Sequence, residues 1–366
     1  MRILCVIDCL GSGGAQRQMV ELALGFKEKG HEVVILTYFH SPFYNPILEQ
    51  AGIRIECLHE ANYLKRLYRI RQFIRKGSKW DVILSFLEAP NFICELAGFP
   101  FRTWKLVVGE RSANPKILKS RRLKFYRWFH LLADHIVANS HTNMCMIKAI
   151  NKFLSDSKCT VIYNIIDFNK WKPSTDYVPR KNGNLKIVVA ASHQYLKNLN
   201  GLLEALALMS REEQNKMTIE WYGDSLIKPY VDNSIIEALK KIDQYKLENI
   251  ISLKPATHDL PGIFQDADAV GLFSFYEGFP NTICEGAACG KPLICSTVSD
   301  IPILLSHENN LLCNPEEPIS IKSALCHMIN LSDAELIRIG SINEKIAKEK
   351  FNKEFVISSY LQLFEQ

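Results

Sequence analysis

Two glutamates stand eight positions apart: Glu277 follows an apolar, strand-like run (269–274), and Glu285 lies within a predicted helix (281–289). The tripeptide Gly-Phe-Pro follows the first glutamate directly. A carboxylate accepts hydrogen bonds from hydroxyl groups, and such charge-assisted bonds are strong. The alternative is an acid near a helix N-terminus followed by a surface glutamate within the helix.

A cation and a glycine loop follow two other predicted strands. Lys197 comes after strand 185–191, where its side chain could neutralise a phosphate or simply be solvated. Glycines at positions 11, 13 and 14 follow strand 2–8, where glycine lets a phosphate approach the backbone. The loop fails as a dinucleotide fingerprint, because Gln16 occupies the place of the third glycine, and it could be a tight turn.

Short apolar runs alternate with amphipathic segments along the whole chain, which predicts βαβ units and parallel sheets. Residues 165–184 have the polar, proline-containing composition of a linker, and a second series of strands begins after them. Open parallel sheets bind ligands outside the carboxyl ends of their strands. The sequence therefore predicts an α/β protein with two similar halves.

The 366 residues are 47% hydrophobic and 23% charged, which excludes a disordered chain, a collagen and a coiled coil. Eleven scattered cysteines favour reduced thiols. The odd cysteine count and the lack of a signal-peptide pattern lead us to expect a cytoplasmic protein. No apolar stretch approaches the ~20 residues that span a bilayer, so we expect the chain to be soluble or peripheral. Residues 1–170 have a net charge of +11 and residues 171–366 one of −6.

Two basic stretches containing aromatic residues, 63–76 and 116–129, lie in the positive half. Basic amphipathic helices with aromatic residues are typical of membrane-surface elements. We therefore expect contact with an anionic membrane at the inner face of the plasma membrane, with solvated helix faces as the alternative. Nucleic acid is not expected as a partner, because no nucleic-acid-binding motif is present.

These motifs together resemble the retaining GT-B glycosyltransferases of the family 4, or group 1, type. That family shares two glutamates separated by seven residues, with E-G-F-P or E-G-F-G at the start. The resemblance spans nearly the whole chain, through Gly13-Gly14-Ala15, Asn139-Ser140, residues 161–167, Lys197-Asn198 and Glu285 to Pro292.

The resemblance implies a GT-B fold, with two Rossmann-like domains facing across a cleft. An acceptor-binding domain would span residues 1–168, with a C-terminal helix at about 350–366 packing back on it. A sugar-nucleotide-binding domain would span 169–349. No cofactor and no metal are expected; Asp266 and Asp268 are interpreted as the end of a helix rather than as metal ligands.

By the same resemblance, Lys197 and Glu277 are the catalytic candidates. Glu285 would bind the ribose and Glu277 the donor sugar, while Lys197 and helix amides would stabilise the departing diphosphate. The predicted donor-binding residues are Gly13, Gly14, His193, Lys197, Glu277, Gly278, Phe279, Pro280, Asn281, Thr282, Ile283 and Glu285.

This chain departs from the family where an arginine usually precedes the lysine, because residues 192–194 read Ser-His-Gln. His193, Gln194, Arg17 or Arg111 could replace that arginine. The acceptor-side candidates are Glu88, Glu110 and Arg111. His130 and His141 are set aside as too distant along the chain to orient a donor.

The expected activity is metal-independent transfer of a hexose-type sugar, with retention, from a nucleotide-sugar, most often UDP-linked in this family. The expected acceptor is a glycan or a polyprenyl-diphosphate-linked glycan in surface polysaccharide assembly. Two alternatives remain open, a sugar-nucleotide epimerase with the GT-B fold and a non-catalytic nucleotide-sugar-binding module. An epimerase would need no acceptor.

Overall fold

The structure is a computed structural model that describes residues 1–76, 79–181, 183–224, 233–257, 259–306 and 311–366. The chain divides into two compact units. Unit 1 consists of Met1–Ile165 and Lys353–Gln366, and unit 2 of Ile166–Asn352.

Unit 1 contains a seven-stranded sheet in which every strand pair is parallel, in the order β3-β2-β1-β4-β5-β6-β7. Its strands are β1 (Arg2–Val6), β2 (Glu32–Thr37), β3 (Arg54–Cys57), β4 (Val82–Phe86), β5 (Lys105–Glu110), β6 (His135–Ala138) and β7 (Cys159–Val161). Its helices are α1 (Gly14–Glu28), α2 (Asn45–Gln50), α3 (Tyr63–Lys76), α4 (Glu88–Gly98), α5 (Arg121–Trp128), α6 (His141–Ile150) and α15 (Lys353–Glu365).

Unit 2 contains a six-stranded parallel sheet in the order β10-β9-β8-β11-β12-β13. Its strands are β8 (Leu185–Ala190), β9 (Met217–Tyr222), β10 (Ile251–Lys254), β11 (Ala269–Leu272), β12 (Leu293–Ser296) and β13 (Leu312–Cys313). Its helices are α7 (Leu199–Ala207), α8 (Arg211–Gln214), α9 (Ser234–Tyr245), α10 (Leu260–Gln265), α11 (Asn281–Ala288), α12 (Ile301–Leu304), α13 (Pro318–Asn330) and α14 (Asp333–Lys350).

The strands are short apolar runs because helices cover both faces of each sheet, as parallel sheets require. In unit 1 one core layer joins the sheet to α1 and α15, and a second joins it to α3, α4 and α6. Unit 2 has a core formed by its strands and the inner faces of α7 and α13. Both sheets confirm the predicted α/β class. No helix of the described residues is long and apolar enough to cross a membrane.

Candidate donor site and its counterpart in unit 1

Helix α11 begins at the carboxyl end of the unit 2 sheet, directly after the segment that links it to β11. Pro280 is the N-cap, with an extended backbone, and its fixed φ suits this position at the start of a helix. Gly286 lets α11 lie close to the sheet, since a Cβ there would stand 2.9 Å from Val270. The Thr282 hydroxyl donates to the Ala190 carbonyl at the end of β8, 3.1 Å away. The helix N-terminus is thus fixed beside the ends of β8 and β11.

Glu277 and Lys197, both predicted site residues, form an ion pair at this edge of the sheet. The Lys197 Nζ lies 2.6 Å from the Glu277 Oε1, and the Ser274 hydroxyl donates to the same oxygen at 2.7 Å. The two side chains are 22% and 14% exposed, so the pair reaches solvent. A ligand can therefore compete for the charge of either side chain.

The backbone around Lys197 has a fixed conformation. Residues Tyr195–Lys197 form a turn of 3-10 helix, and Asn198 follows in the left-handed region with φ of 61°. Asparagine tolerates this conformation better than most residues. The Asn198 side chain then accepts from the Gly201 amide at 3.1 Å and caps α7. The Phe275 amide donates to the Leu196 carbonyl at 2.9 Å, which joins the lysine turn to the glutamate segment.

Glu285 lies within α11 and is only 3% exposed. It therefore differs from Glu277, which stands before the helix and reaches solvent. The other predicted donor residues flank the same helix start: the Gly278 carbonyl accepts from the Ser299 hydroxyl at 2.5 Å, and Phe279 packs edge-on against Phe351. Asn281 and Ile283 belong to the first turn of α11.

His193 is 9% exposed in the loop after β8. Its carbonyl accepts from the Ser234 hydroxyl at 2.8 Å, and its amide donates to the Asp224 carbonyl at 3.1 Å. Burial lowers the pKa of His193, and the opposing effect of Asp224 is smaller. A lowered pKa favours the neutral form of the ring, and the suggestion that His193 replaces the missing arginine stays a prediction.

The predicted glycine loop lies in unit 1, where Gly13 is the N-cap of α1 and Gly14 its first residue. The Asp8 side chain, just after β1, accepts from the Cys9 amide at 2.7 Å and from the Gln16 side chain at 3.0 Å. The loop thus places the N-terminus of a 15-residue helix at the carboxyl edge of the sheet.

The acceptor-side candidate Glu110 ends β5 and belongs to a buried charge cluster, which we define as Glu95, Glu110, Arg127 and His130. The carboxylate of Glu110 lies 2.5 Å from the Arg127 guanidinium and 3.0 Å from the His130 Nε2. The His130 Nδ1 lies 2.6 Å from Glu95. None of the four side chains is more than 2% exposed.

The pKa values of the cluster follow from burial and pairing. Burial lowers the pKa of His130, but Glu95 and Glu110 oppose it and the pKa rises to about 9. Burial raises the pKa of Glu95. Burial has the same tendency at Glu110, but Arg127 and His130 outweigh it and its pKa is lowered. The charged forms of Glu110 and His130 are thus stabilised by their partners, whereas at Glu95 burial outweighs the pairing with His130.

The other acceptor-side candidates are placed differently. Glu88, the first residue of α4, has a 28% exposed side chain and lies 3.4 Å from Arg127. Arg111 donates to Tyr360 at 2.5 Å and to Asn164 at 3.2 Å, and its guanidinium lies 3.9 Å above the Phe86 ring. These contacts anchor Arg111 within unit 1, while Arg17 lies in the first turn of α1.

The two aspartates that could suggest a metal site make internal contacts. Asp268 accepts from the Tyr177 hydroxyl at 3.0 Å and from the amides of Arg180 and Lys186 at 3.0 and 2.7 Å. Asp266 pairs with the Lys186 ammonium at 3.1 Å. Among the described residues, no group of three or more His, Cys, Asp or Glu side chains has a metal-binding arrangement.

Sequence reasoning missed several residues of these sites. Ser274 and Ser299 hold the loop and helix start of the candidate donor site, whereas Glu95 and Arg127 complete the buried cluster. Ser274 follows a predicted strand, and that position could have identified it. Nothing in the sequence indicates that Arg127 pairs with Glu110 or that Glu95 pairs with His130.

Two family models match the chain in succession. "Glycosyltransferase Family 4" matches residues 12–170, and "Glycosyl transferases group 1" matches residues 184–330. The chain belongs to the group 1 (family 4) glycosyltransferases. This glycosyltransferase also has the fold of solved GT-B glycosyltransferases, which confirms the predicted fold.

Three proteins illustrate how far this similarity extends. An α-1,4-N-acetyl-D-galactosaminyltransferase of Campylobacter jejuni, named for a diphospho-undecaprenol-linked substrate, is 24% identical over 78% of this glycosyltransferase and 76% of its own length. The N-acetyl-α-D-glucosaminyl L-malate synthase of Bacillus anthracis is 20% identical over 100% and 97%. Anabaena HepE, crystallised with UDP, is 20% identical, with a TM-score of 0.85 over 100% of both chains.

Proposed function

We propose that this glycosyltransferase transfers a sugar from a UDP-sugar, with retention at the anomeric carbon, to a lipid-linked glycan. The Lys197–Glu277 pair beside the start of α11 is the observation that supports this most. A cation, a partly exposed carboxylate and a helix N-terminus together match a ligand that carries both a diphosphate and hydroxyl groups. The donor would bind to unit 2, and unit 1 would bind the acceptor.

In this proposal, the donor separates the ion pair and gives each side chain a new partner. Lys197 would turn from Glu277 to the diphosphate, and the amides at the start of α11 would face the same group. Glu277 would accept hydrogen bonds from the sugar hydroxyls, and Glu285 from the ribose. Charge that develops on the departing UDP would be stabilised by groups already in place, which is usually the largest catalytic contribution.

The proposed acceptor class is based on the Campylobacter relative, whose name includes PP-undecaprenol, a diphosphate-linked lipid. The +11 net charge of residues 1–170 is suited to an anionic membrane in which such a lipid would lie. The proposal of retention is based on the family resemblance. The proposal of UDP as the nucleotide is based on that resemblance and on HepE, which was crystallised with UDP.

The test is a UDP-release assay with UDP-glucose, UDP-N-acetylglucosamine and UDP-N-acetylgalactosamine, each with and without a polyprenyl-diphosphate-linked acceptor. We expect acceptor-dependent UDP release and an α-linked product, identified by its anomeric proton coupling. A β-linked product would contradict retention. Conversion of a UDP-sugar without acceptor would indicate the epimerase instead, whereas turnover of only a small soluble acceptor would contradict the lipid-linked class.

A further inference from the structure

An apolar groove in unit 1 has no part in the proposed reaction. It has a volume of about 390 Å³ and is lined by Leu96, Phe99, Trp128, Phe129, Leu131 and Leu132. All six lining residues are apolar or aromatic. We call it the aromatic groove. Phe99, Trp128 and Leu131 at its edge are 56%, 52% and 41% exposed.

More aromatic side chains surround the groove and extend its apolar surface. Phe153 packs against Trp128 with ring centroids 6.3 Å apart and is itself 74% exposed. Phe125 contacts the lining residue Phe129 at 5.1 Å and is 54% exposed. Contiguous exposed apolar surface of this kind marks an interaction site rather than an ordinary protein surface.

The orientation of α5 is fixed from the opposite side. Arg127, between Tyr126 and Trp128, points into the buried charge cluster, where it pairs with Glu110. His130 does the same one turn later. Rolling the helix to bury Trp128 would remove both cations from their carboxylates, and breaking a buried ion pair is strongly unfavourable. The exposure of the aromatic side chains is therefore stably maintained.

Cations lie beside the apolar surface. Arg121, Arg122 and Lys124 are exposed on α5, which contains no acidic residue, and Lys152 precedes Phe153 and is also exposed. The neighbouring acid Asp134 is paired with Arg102 at 2.7 Å. An apolar centre with cations around it complements a surface whose outer layer is anionic and whose interior is hydrocarbon.

We propose that unit 1 docks on an anionic phospholipid bilayer through the aromatic groove. Phe99, Trp128 and Leu131 enter the hydrocarbon boundary, and Arg121, Arg122 and Lys124 contact the headgroups. The wholly apolar lining favours lipid over nucleic acid, which would require polar contacts to bases or phosphates. This proposal specifies the membrane contact of the proposed function, but its test involves no sugar transfer, so either can fail alone.

The tryptophan content provides a site-specific probe. Of the five tryptophans, all within the described residues, Trp128 alone is exposed, whereas Trp80, Trp104, Trp171 and Trp221 are at most 9% exposed. The intact protein is mixed with vesicles of phosphatidylglycerol and phosphatidylcholine that carry brominated acyl chains. We expect quenching of the exposed tryptophan, a blue shift and protection from acrylamide. The variant Trp128→Phe should still sediment with vesicles but lose the quenching.

Paired variants separate the apolar and electrostatic contributions. Phe99→Ser and Leu131→Ser should each weaken partitioning into vesicles by about tenfold, because each removes a side chain that would otherwise be buried in lipid. Ile319→Ser, a matched change at a 56% exposed position of unit 2, should have no effect. Reversing the charges of Arg121, Arg122 and Lys124 to glutamate should reduce binding to anionic vesicles, and added salt should do the same.

Several outcomes would overturn the proposal. Sedimentation with vesicles without quenching of Trp128 would place the contact elsewhere, and failure to bind anionic vesicles would remove it. Loss of a dimer on size-exclusion chromatography in Phe99→Ser and Leu131→Ser, with vesicle binding intact, would assign the groove to a second copy of the chain. Circular dichroism and the melting temperature of each variant confirm that a loss of binding is not a loss of folding.

Discussion

The two units each place a carboxylate and a cation beside the carboxyl ends of parallel strands, but the two groups differ in exposure. In unit 2 the Lys197–Glu277 pair is 22% and 14% exposed. In unit 1 the buried charge cluster is at most 2% exposed, and Glu110 has both Arg127 and His130 as partners. The first group can exchange its partner for a ligand, whereas the second is suited to holding structure. Similar residue types at the ends of parallel strands therefore suggest a ligand-binding site only where the side chains are also partly exposed.

The largest expected effect is on the stability of unit 1. Arg127→Met should destabilise it by about 3–5 kcal/mol, because the change leaves the buried Glu110 carboxylate without its closest cation. Hydrogen exchange of unit 1 peptides, followed by mass spectrometry, measures this locally. Arg121→Met, on the exposed face of the same helix, is the control and should change stability by less than about 0.5 kcal/mol. Equal effects of the two variants would contradict the structural role of the cluster.

The corresponding change in unit 2 should affect turnover. Lys197→Ala should reduce kcat by about 100- to 1,000-fold, because in the proposed mechanism it removes the group that stabilises the departing diphosphate. Steady-state UDP release measures this. Lys254→Ala, which breaks a partly exposed pair with Glu220 outside the candidate site, serves as the control and should leave kcat within about twofold. Near-normal kcat in Lys197→Ala would mean that another cation holds the diphosphate.

Substitutions of the two glutamates should affect the binding of different ligands. Glu285→Gln should weaken binding of UDP itself, whereas Glu277→Gln should weaken binding of the UDP-sugar more than that of UDP. A hydrogen bond to a charged group contributes about 1.5–3 kcal/mol, so each loss should be about 10- to 100-fold. Isothermal titration with both ligands measures the difference. Equal weakening of UDP by both variants would refute the assigned roles.

The smallest expected effect is a pH dependence of the stability of unit 1. The pKa of His130 is raised to about 9, so its protonated form stabilises the fold. This stabilisation is complete below about pH 6.5 and is lost as the pH rises through about 9; between pH 6.5 and 8.5 it should fall by about 2 kcal/mol. Urea denaturation at a series of pH values measures it. His130→Gln should lack this fall, and an identical fall in the variant would assign the titration to another group.

Much of the fold and part of the site could be predicted from the sequence. Buried parallel strands are short continuous apolar runs, so the sequence pattern predicts most strands of both sheets. Pro280 similarly indicates the start of α11. The edge strand β3 cannot be recognised in this way, because its residues are half-exposed and form no such run. The resemblance assigned Lys197 and Glu277 to one site, although their direct contact depends on how the Leu196 and Phe275 backbones pair.

The buried cluster could not be predicted, because its members come from α4, β5, α5 and the turn after α5. His130 is considered only as a residue that could orient a donor, and no pattern in the sequence indicates that its ring lies 3.0 Å from Glu110. Distance along a sequence does not show which helix faces converge. A pattern search also cannot distinguish an arginine that pairs internally, such as Arg127, from an exposed one such as Arg121.

Helix α15 has a consequence for the order in which the protein is made. It supplies Val356, Ile357 and Tyr360 to the core of unit 1, yet the ribosome synthesises it only after all of unit 2. Domains generally fold as units during synthesis, N-terminal parts first. Residues 166–352 are therefore the first to become complete, while the earlier 165 residues wait with a patch of core around Phe26 uncovered. The nascent first unit therefore exposes apolar core surface until α15 has been translated.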